Sequence, residues 1–223
     1  ITIIEPTQLA ASSSATAIAC NGGSSVITVS GSGGTGTYSG TGTYTVTAGT
    51  YNYTITDANG CTATTSVTVS EPSAVTVSVS ATEIACFEGR TTITITGGGG
   101  TSPLNYSING GTYTQTSNVF DDAGAGLYNV KVTDANGCSA SMTKTITQPA
   151  PVTPSVGASA ILCNGGSSTI TVSALGGTGF GTYTYTLNEI NNQTGIFNKT
   201  AGTYTVTVTD GNNCSTSTSV VVE

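Results

Sequence analysis

The sequence feature that most constrains the fold is an internal repeat that occurs three times in the 223-residue chain, with its turn motif spaced 77 and 76 residues apart. Each copy contains a turn of the pattern Thr-Asp-x-Asn-x-Cys. Each copy also has an earlier cysteine, and shortly after it an isoleucine begins an alternating run of apolar residues and threonine. The turn cysteines are Cys61, Cys138 and Cys214, and the earlier ones are Cys20, Cys86 and Cys163. The chain is therefore expected to fold as one small unit repeated in tandem.

An acid or amide followed by proline recurs between the copies, at Glu5-Pro6, Glu71-Pro72 and Gln148-Pro149. Proline cannot donate to a strand ladder and stops a strand, so these positions predict the module boundaries. Residues 1–6 are then expected to be the last strand of a preceding module, and the chain to be a window from a longer array. The predicted modules are repeat 1 at residues 7–72, repeat 2 at residues 73–149 and repeat 3 at residues 150–223.

Short alternating runs predict six β-strands and no helix in each repeat. In the strongest run, residues 51–56, Tyr51, Tyr53 and Ile55 share one face while Asn and Thr occupy the other. This pattern is typical of an antiparallel strand with one buried face. An Asn-Gly pair follows the run in repeats 1 and 2 and suits the tight turn of a hairpin.

A tyrosine begins this strand in every repeat, directly after an Ala-Gly-x sequence. A tyrosine at the start of the penultimate strand resembles the tyrosine corner of immunoglobulin-like sandwiches. The three residues are Tyr51, Tyr128 and Tyr204. The predicted fold is therefore all-β: a tandem array of three immunoglobulin-like β-sandwich modules, each with one disulfide inside the module.

Six cysteines, two per repeat, can pair in 15 ways. Pairing within each repeat is the only scheme in which all three repeats have the same disulfide. Strand direction supports this hypothesis, since six alternating strands would place the first and last turns at the same end of a module, whereas seven would place them at opposite ends. The predicted bonds are Cys20–Cys61, Cys86–Cys138 and Cys163–Cys214. Each would stabilise its module by about 4 kcal/mol. Oxidised pairs would place the protein outside the cytoplasm, and six reduced thiols are the alternative.

Composition excludes several functional classes. Four basic residues against eleven acidic ones give a net charge of −7, and four cations are too few to hold a nucleic-acid backbone. The chain has no histidine, which excludes imidazole as a base or metal ligand. No apolar stretch approaches the roughly 18 residues of a membrane-spanning helix, so membrane insertion is not expected. Because the chain has no histidine to activate a hydroxyl as a nucleophile, we predict that the protein is not an enzyme.

Three motifs could indicate a site, and each has a simpler explanation. Residues 31–36 match G-x-G-x-x-G, but a dinucleotide site needs a helix after the loop, and the next residues favour strand and turn. The acidic pair Asp121-Asp122 occurs in one repeat only, which favours a solvated loop. The aspartate of each Asp-x-Asn turn is one carboxylate where calcium needs several, so capping of the turn is preferred. These turn caps are Asp57, Asp134 and Asp210, and no metal or cofactor is expected.

Several motifs occur together in repeat 3: Cys163-Asn164-Gly165-Gly166-Ser167, Gly176-Gly177-Thr178-Gly179 and Ala201 through Asp210, with Asn59-Gly60-Cys61 taken from repeat 1. In combination they resemble the SprB repeat family. Repeat 2 departs from the pattern, because Phe87-Glu88-Gly89-Arg90 replaces Asn-Gly-Gly-Ser. The resemblance implies a very large cell-surface adhesin of gliding and related Bacteroidota. It also implies export by the type IX route and, in gliding species, movement along the cell body.

The leading functional hypothesis is a structural stalk or filament segment of a secreted bacterial cell-surface adhesin. Its partners would be neighbouring repeats of the same chain or fibre, and a surface polysaccharide or abiotic surface. A second hypothesis is a glycan-binding module that uses exposed aromatic side chains. A third is a subunit of an extracellular fibre, in which residues 1–6 complete a neighbouring sheet by strand addition. The candidate glycan-binding residues are Tyr38, Tyr44, Tyr113 and Tyr183.

Overall fold

The computed structural model describes residues 4–109, 117–178 and 182–223, and their regular structure consists of β-strands joined by turns. Repeat 1 contains β1 (Ala10–Ala15), β2 (Ser25–Ser32), β3 (Gly42–Val46), β4 (Gly49–Thr56) and β5 (Thr62–Val69). Repeat 2 contains β6 (Thr76–Ala81), β7 (Thr91–Gly98), β8 (Asn105–Ile108), β9 (Val119–Ala123), β10 (Gly126–Thr133) and β11 (Ser139–Ile146). Repeat 3 contains β12 (Thr153–Ala158), β13 (Ser168–Leu175), β14 (Thr184–Leu187), β15 (Ile190–Asn192), β16 (Ile196–Lys199), β17 (Gly202–Thr209) and β18 (Ser215–Val222).

Repeat 1 is built from two antiparallel sheets. One sheet has the order β1–β2–β3, and the other pairs β4 with β5 along eight residues. A single bridge between Ser39 and Thr56 adds a short third segment to the second sheet. This is the A–B–E and C–F–G arrangement of an immunoglobulin-like sandwich.

Alternation along the strands decides which side chains form the core. In β2, Ser25, Ile27 and Val29 are buried while the residues between them are exposed. The equivalent isoleucines, Ile93 of β7 and Ile170 of β13, are also fully buried. The predicted all-β, immunoglobulin-like sandwich fold is therefore confirmed.

Six strands are predicted for each repeat, but the described residues of repeat 1 form five and those of repeat 3 form seven. The sheets of repeat 3 have the orders β12–β13–β16 and β15–β14–β17–β18. The additional strand β15 pairs with β14 through a tight turn at Asn188 and Glu189, whose φ angles are 49° and 67°. Two consecutive residues with positive φ are typical of a two-residue hairpin turn. The periodicity missed β15 because it is only three residues long.

The two turns that carry cysteines lie at opposite ends of repeat 1. The turn between β4 and β5 lies against the loop after β2, because the Ala58 N–H donates to the Thr35 carbonyl at 3.0 Å. The turn between β1 and β2 lies beside the end of β5, because Nδ2 of Asn21 donates to the Pro72 carbonyl at 3.1 Å. We name these the F–G turn and the A–B turn. The F–G turns are residues 57–61, 134–138 and 210–214, and the A–B turns are residues 20–23, 86–89 and 163–166.

The predicted disulfide pairings Cys20–Cys61, Cys86–Cys138 and Cys163–Cys214 are wrong. The structure contains the bonds Cys20–Cys138 and Cys86–Cys214, with Cα–Cα distances of 5.6 and 5.5 Å. Cys61 and Cys163 are unpaired and exposed. The physical reason is the position of the turns: a disulfide requires Cα atoms within about 7 Å, and the A–B and F–G turns of one sandwich are at opposite ends. Each bond therefore joins the A–B turn of one repeat to the F–G turn of the next.

Contacts divide the chain into two compact units, and each disulfide lies inside one of them. Unit 1 comprises residues 1–78, 95–118 and 129–142, and it contains the bond Cys20–Cys138. Unit 2 comprises residues 79–94, 119–128 and 143–223, and it contains the bond Cys86–Cys214. The boundaries after residues 6, 72 and 149 stay predictions, and the repeats are named here by those sequence intervals.

Candidate functional site: the disulfide-closed junctions

The F–G turn is organised by its aspartate, which accepts three backbone hydrogen bonds. In repeat 1, Oδ1 of Asp57 accepts from the N–H groups of Asn59 at 3.0 Å and Cys61 at 2.9 Å. Oδ2 accepts from the Thr35 N–H in the loop after β2, at 2.9 Å. One carboxylate therefore caps the turn and ties it to a second loop. The sequence indicates the cap, but the bond to Thr35 is visible only in the folded chain.

Repeats 2 and 3 have the same arrangement. Asp134 accepts from Asn136, Cys138 and Thr101, and Asp210 accepts from Asn212, Cys214 and Thr178. The three carboxylates are almost fully buried, at 6%, 3% and 5% exposure. A buried carboxylate persists only when its oxygens are hydrogen-bonded, and here every acceptor faces a backbone N–H.

These hydrogen bonds lower the pKa of all three aspartates. The N–H of Thr35 is the main cause for Asp57, and that of Thr101 is the main cause for Asp134, while burial acts in the opposite direction. At Asp210, burial raises the pKa, but the hydrogen bonds from Thr178, Cys214 and Asn212 together lower it. Each carboxylate is therefore held in its charged form by donors of the backbone.

Glycine is required in the loop after β2 because the loop packs closely against the carboxylate of the F–G turn. The Gly34 N–H donates to the Thr7 carbonyl at 2.8 Å, and Gly34 has a φ of 66°. A Cβ at this position would lie 2.8 Å from Oδ2 of Asp57. Gly100 and Gly177 donate equivalent bonds to Ser73 and Ala150. The loop thus joins the first segment of its own repeat, and no helix follows it in the described residues. Gly179, which completes the motif in repeat 3, lies outside those residues.

The acid or amide before two of the three boundary prolines, Pro72 and Pro149, caps an A–B turn. Oε2 of Glu71 accepts from the Gly22 N–H at 2.6 Å, and Oε1 of Gln148 accepts from the Glu88 N–H at 2.9 Å. From the sequence alone these residues are recognised only as boundary marks. Their shared ability to accept a hydrogen bond is the signal that could have identified the cap.

Each closed junction combines a disulfide with a hydrogen bond between side chain and backbone. Beside the bond Cys20–Cys138, Nδ2 of Asn136 donates to the Ala19 carbonyl at 3.0 Å. Beside the bond Cys86–Cys214, Nδ2 of Asn212 donates to the Ala85 carbonyl at 3.4 Å. The asparagine of the Asp-x-Asn-x-Cys motif therefore recognises the A–B turn of the preceding repeat.

The three predicted corner tyrosines make one common hydrogen bond. The hydroxyls of Tyr51, Tyr128 and Tyr204 donate to the carbonyls of Thr47, Gly124 and Thr200, at 3.1, 2.9 and 3.0 Å. Each acceptor lies four residues upstream of its tyrosine. The bond ties the penultimate strand to the crossover that precedes it.

The described tyrosines proposed for glycan binding are not open aromatic platforms. Tyr183 is 6% exposed and donates to the Gly176 carbonyl. Tyr38 is half-buried and donates to the Gly33 carbonyl, and half-buried Tyr44 packs against Tyr53 with ring centroids 4.6 Å apart. Tyr113 lies outside the described residues.

The acidic pair lies within strand β9, not in the solvated loop that the sequence favours, and both residues are exposed at an irregularity in the pairing of β9 with β7. Oδ1 of Asp121 accepts from the Thr92 hydroxyl at 2.8 Å, and Asp122 forms an exposed ion pair with Arg90 at 3.8 Å. An exposed pair of this kind contributes little to stability.

Within the described ranges, no group of three or more His, Cys, Asp or Glu side chains is placed to hold a metal ion. The described part of the chain also contains no helix that could span a membrane.

No protein-family model and no curated protein matches the chain. Among solved structures it is similar to the N-terminal eight Ig domains of Down Syndrome Cell Adhesion Molecule, isoform 1.30.30, at 14% identity and a TM-score of 0.43. That match covers 78% of this chain and 28% of the other. It is also similar to the amphioxus IgVJ-C2 molecule, at 16% identity and a TM-score of 0.27, covering 66% and 95%. Both are immunoglobulin-domain structures, and at this level the likeness carries no argument about function.

Proposed function

We propose that the chain is a structural, force-transmitting segment of an extracellular adhesin, built from tandem immunoglobulin-like sandwiches. The observation that carries this proposal is the pairing of the cysteines. Each disulfide connects one repeat to the next, so each junction has a second covalent link in addition to the peptide linker. A bond inside one module would stabilise that module only.

The two bonds limit how far the chain can be extended, because they span overlapping intervals of the sequence. The shortest covalent route runs through residues 1–20, crosses to Cys138, returns to Cys86, crosses to Cys214 and ends at residue 223. It contains roughly 80 residues, which reach about 280 Å when fully extended, against about 780 Å for the whole chain. Unfolding under load would therefore release about one third of the polypeptide, which suits a stalk.

The disulfides also support an extracellular location, since such bonds persist in oxidising compartments. Few charges and many hydroxyl side chains on the exposed strand faces favour a surface that stays soluble. A bacterial cell surface, export by the type IX route, a part in gliding, and attachment to polysaccharide or abiotic surfaces belong to the same proposal and rest on the resemblance to SprB repeats. Antibodies against the chain should then label intact cells of the source organism.

Single-molecule force spectroscopy of the full chain, held at its two ends, tests the mechanical role. The wild type and the Cys61→Ser/Cys163→Ser control, which keeps both bonds, should reach the same contour length of about 280 Å. The Cys20→Ser/Cys86→Ser variant should extend to about 780 Å. Equal contour lengths for all three proteins would contradict the proposal.

A glycan-binding role and fibre assembly by strand addition remain hypotheses. Among the described candidates Tyr183 is buried and Tyr38 and Tyr44 are half-buried, which does not favour stacking on a glycan. Strand addition depends on residues 1–6, of which residues 4–6 are described and exposed.

A further inference from the structure

The two unpaired cysteines occupy the same backbone geometry as the paired ones. At the F–G turns, the Asp57 N–H donates to the Cys61 carbonyl at 2.9 Å, just as the Asp134 N–H donates to that of Cys138 at 2.9 Å. At the A–B turns, the N–H groups of Gly23 and Gly166 donate to the carbonyls of Cys20 and Cys163 at 3.0 and 2.9 Å. Both free thiols are therefore presented by turns that form a disulfide elsewhere in this chain.

The surface beside Cys61 matches a surface in unit 2 that is bordered by an A–B turn. An open cleft beside Cys61 is lined by Thr7, Gln8, Leu9, Gly34 and Asp57. The corresponding surface beside Cys214 is lined by Ala150, Pro151, Val152, Gly177 and Asp210, and there Cys86 and Phe87 of the preceding repeat form an additional wall. The cleft at Cys61 has the same components without that wall.

The asparagine that recognises an A–B turn has no partner in repeat 1. Asn136 and Asn212 donate through Nδ2 to the carbonyl of the residue before the bonded cysteine. Asn59 holds the same motif position, and its backbone N–H bonds to Asp57, but its Nδ2 makes no hydrogen bond within the described part of the chain.

The A–B turn at Cys163 is more exposed than the A–B turns at Cys20 and Cys86. Ile18 and Ile84 precede the two bonded cysteines by two residues and are 6% and 5% exposed. The equivalent Ile161 is only partly buried, and Leu162 beside it is 92% exposed. At the two closed junctions the equivalent residues are Ala19 and Ala85, whose carbonyls accept from the junction asparagines, so Leu162 lies at the position that a third junction would use.

We propose that Cys163 of one copy of this chain forms a disulfide with Cys61 of a second copy, so that copies join head to tail through a third junction of the same kind. The occupant of the cleft at Cys61 is the A–B turn of repeat 3, with the Leu162 carbonyl accepting from Nδ2 of Asn59. This inference rests on the junction geometry and does not depend on the proposed adhesin function.

The bond forms by thiol–disulfide exchange with a small-molecule disulfide such as oxidised glutathione. The thiolate of one cysteine attacks glutathione disulfide, forms a mixed disulfide and releases one glutathione thiolate. The thiolate of the second cysteine then attacks the protein sulfur and releases the other. Two protein thiols are oxidised to one disulfide, and one glutathione disulfide is reduced to two thiols.

Mixing two single variants of the full chain in a glutathione redox buffer tests the proposal. The Cys61→Ser copy offers only Cys163, and the Cys163→Ser copy offers only Cys61. Each variant alone should stay monomeric on a non-reducing gel, and the mixture should form a dimer whose peptide map contains one Cys61–Cys163 bond. Peptide mapping of Cys20–Cys138 and Cys86–Cys214 in the same samples verifies that the variants are folded.

A third protein separates specific docking from random collision of thiols. Asn59→Ala in the Cys163→Ser copy removes one hydrogen bond, so its dimer should be about fivefold less abundant at equilibrium. Three results would overturn the proposal: dimers formed by either single variant alone, a mixture that stays monomeric, or a dimer yield that Asn59→Ala leaves unchanged.

Discussion

Two F–G turns of unit 1 have the same local structure, and only one of them is covalently closed. In both, an aspartate accepts from the N–H groups two and four residues later, at distances between 2.8 and 3.0 Å. Cys138 is bonded and half-buried, whereas Cys61 is free and exposed. The turn is therefore formed by its own aspartate, and the disulfide is an addition to a finished structure.

The largest expected difference between the two turns comes from the cysteines themselves. Cys138→Ser removes a bond that closes 118 residues, so it should lower the free energy of unfolding by about 5 kcal/mol. Cys61→Ser changes an exposed thiol and should stay within about 0.5 kcal/mol of the wild type. Denaturant unfolding of both variants under non-reducing conditions measures the difference in the free energy of unfolding. If Cys138→Ser lost no more than Cys61→Ser, the bond Cys20–Cys138 would contribute nothing to stability.

The aspartates should behave alike in both turns. Asp57→Ala and Asp134→Ala each remove three backbone hydrogen bonds from a buried carboxylate, so each should lower the melting temperature, by less than Cys138→Ser does. The two losses should be similar, because the bonds are the same. If only Asp134→Ala lowered the melting temperature, the structure of the F–G turn would depend on the disulfide and not on the aspartate alone.

Acid should weaken both turns in the same pH range. The pKa of each aspartate is lower in the folded protein than in the unfolded chain. Their contribution is therefore fully present above the unfolded pKa of about 3.9 and is lost as the pH falls through the folded pKa. Melting temperatures between about pH 5 and pH 2 should decline less steeply in Asp57→Asn and Asp134→Asn than in the wild type. A wild-type melting temperature that does not fall across this range would contradict the expectation.

The smallest expected difference concerns the asparagines. Asn136→Ala removes the bond to the Ala19 carbonyl and should cost about 1 kcal/mol. Asn59→Ala removes a side chain that makes no hydrogen bond to another described residue, and it should cost less than about 0.5 kcal/mol in the monomer. Unfolding free energies of the two variants test whether the hydrogen bond from Asn136 to the Ala19 carbonyl accounts for the larger loss. Equal losses in the two variants would rule this out.

The parts of the fold set by near neighbours could be predicted from the sequence. Alternation places Ile27 and Ile55 in the core, and the structure buries both completely. The aspartate of each F–G turn bonds N–H groups two and four residues away, a distance over which turn patterns are informative. The strand β15 was missed because three residues cannot show a period, and the bond from Asp57 to Thr35 because those residues are 22 positions apart.

The sequence by itself determined the repeat, the strand faces and the turns that present cysteine, because each of these depends on side chains within a few positions of one another. The tertiary structure alone decided which cysteines meet. The A–B and F–G turns lie at opposite ends of a sandwich, so the nearest thiol belongs to the adjacent repeat, 118 or 128 residues away. Bond formation depends on distance in space, which follows from the number and direction of the strands.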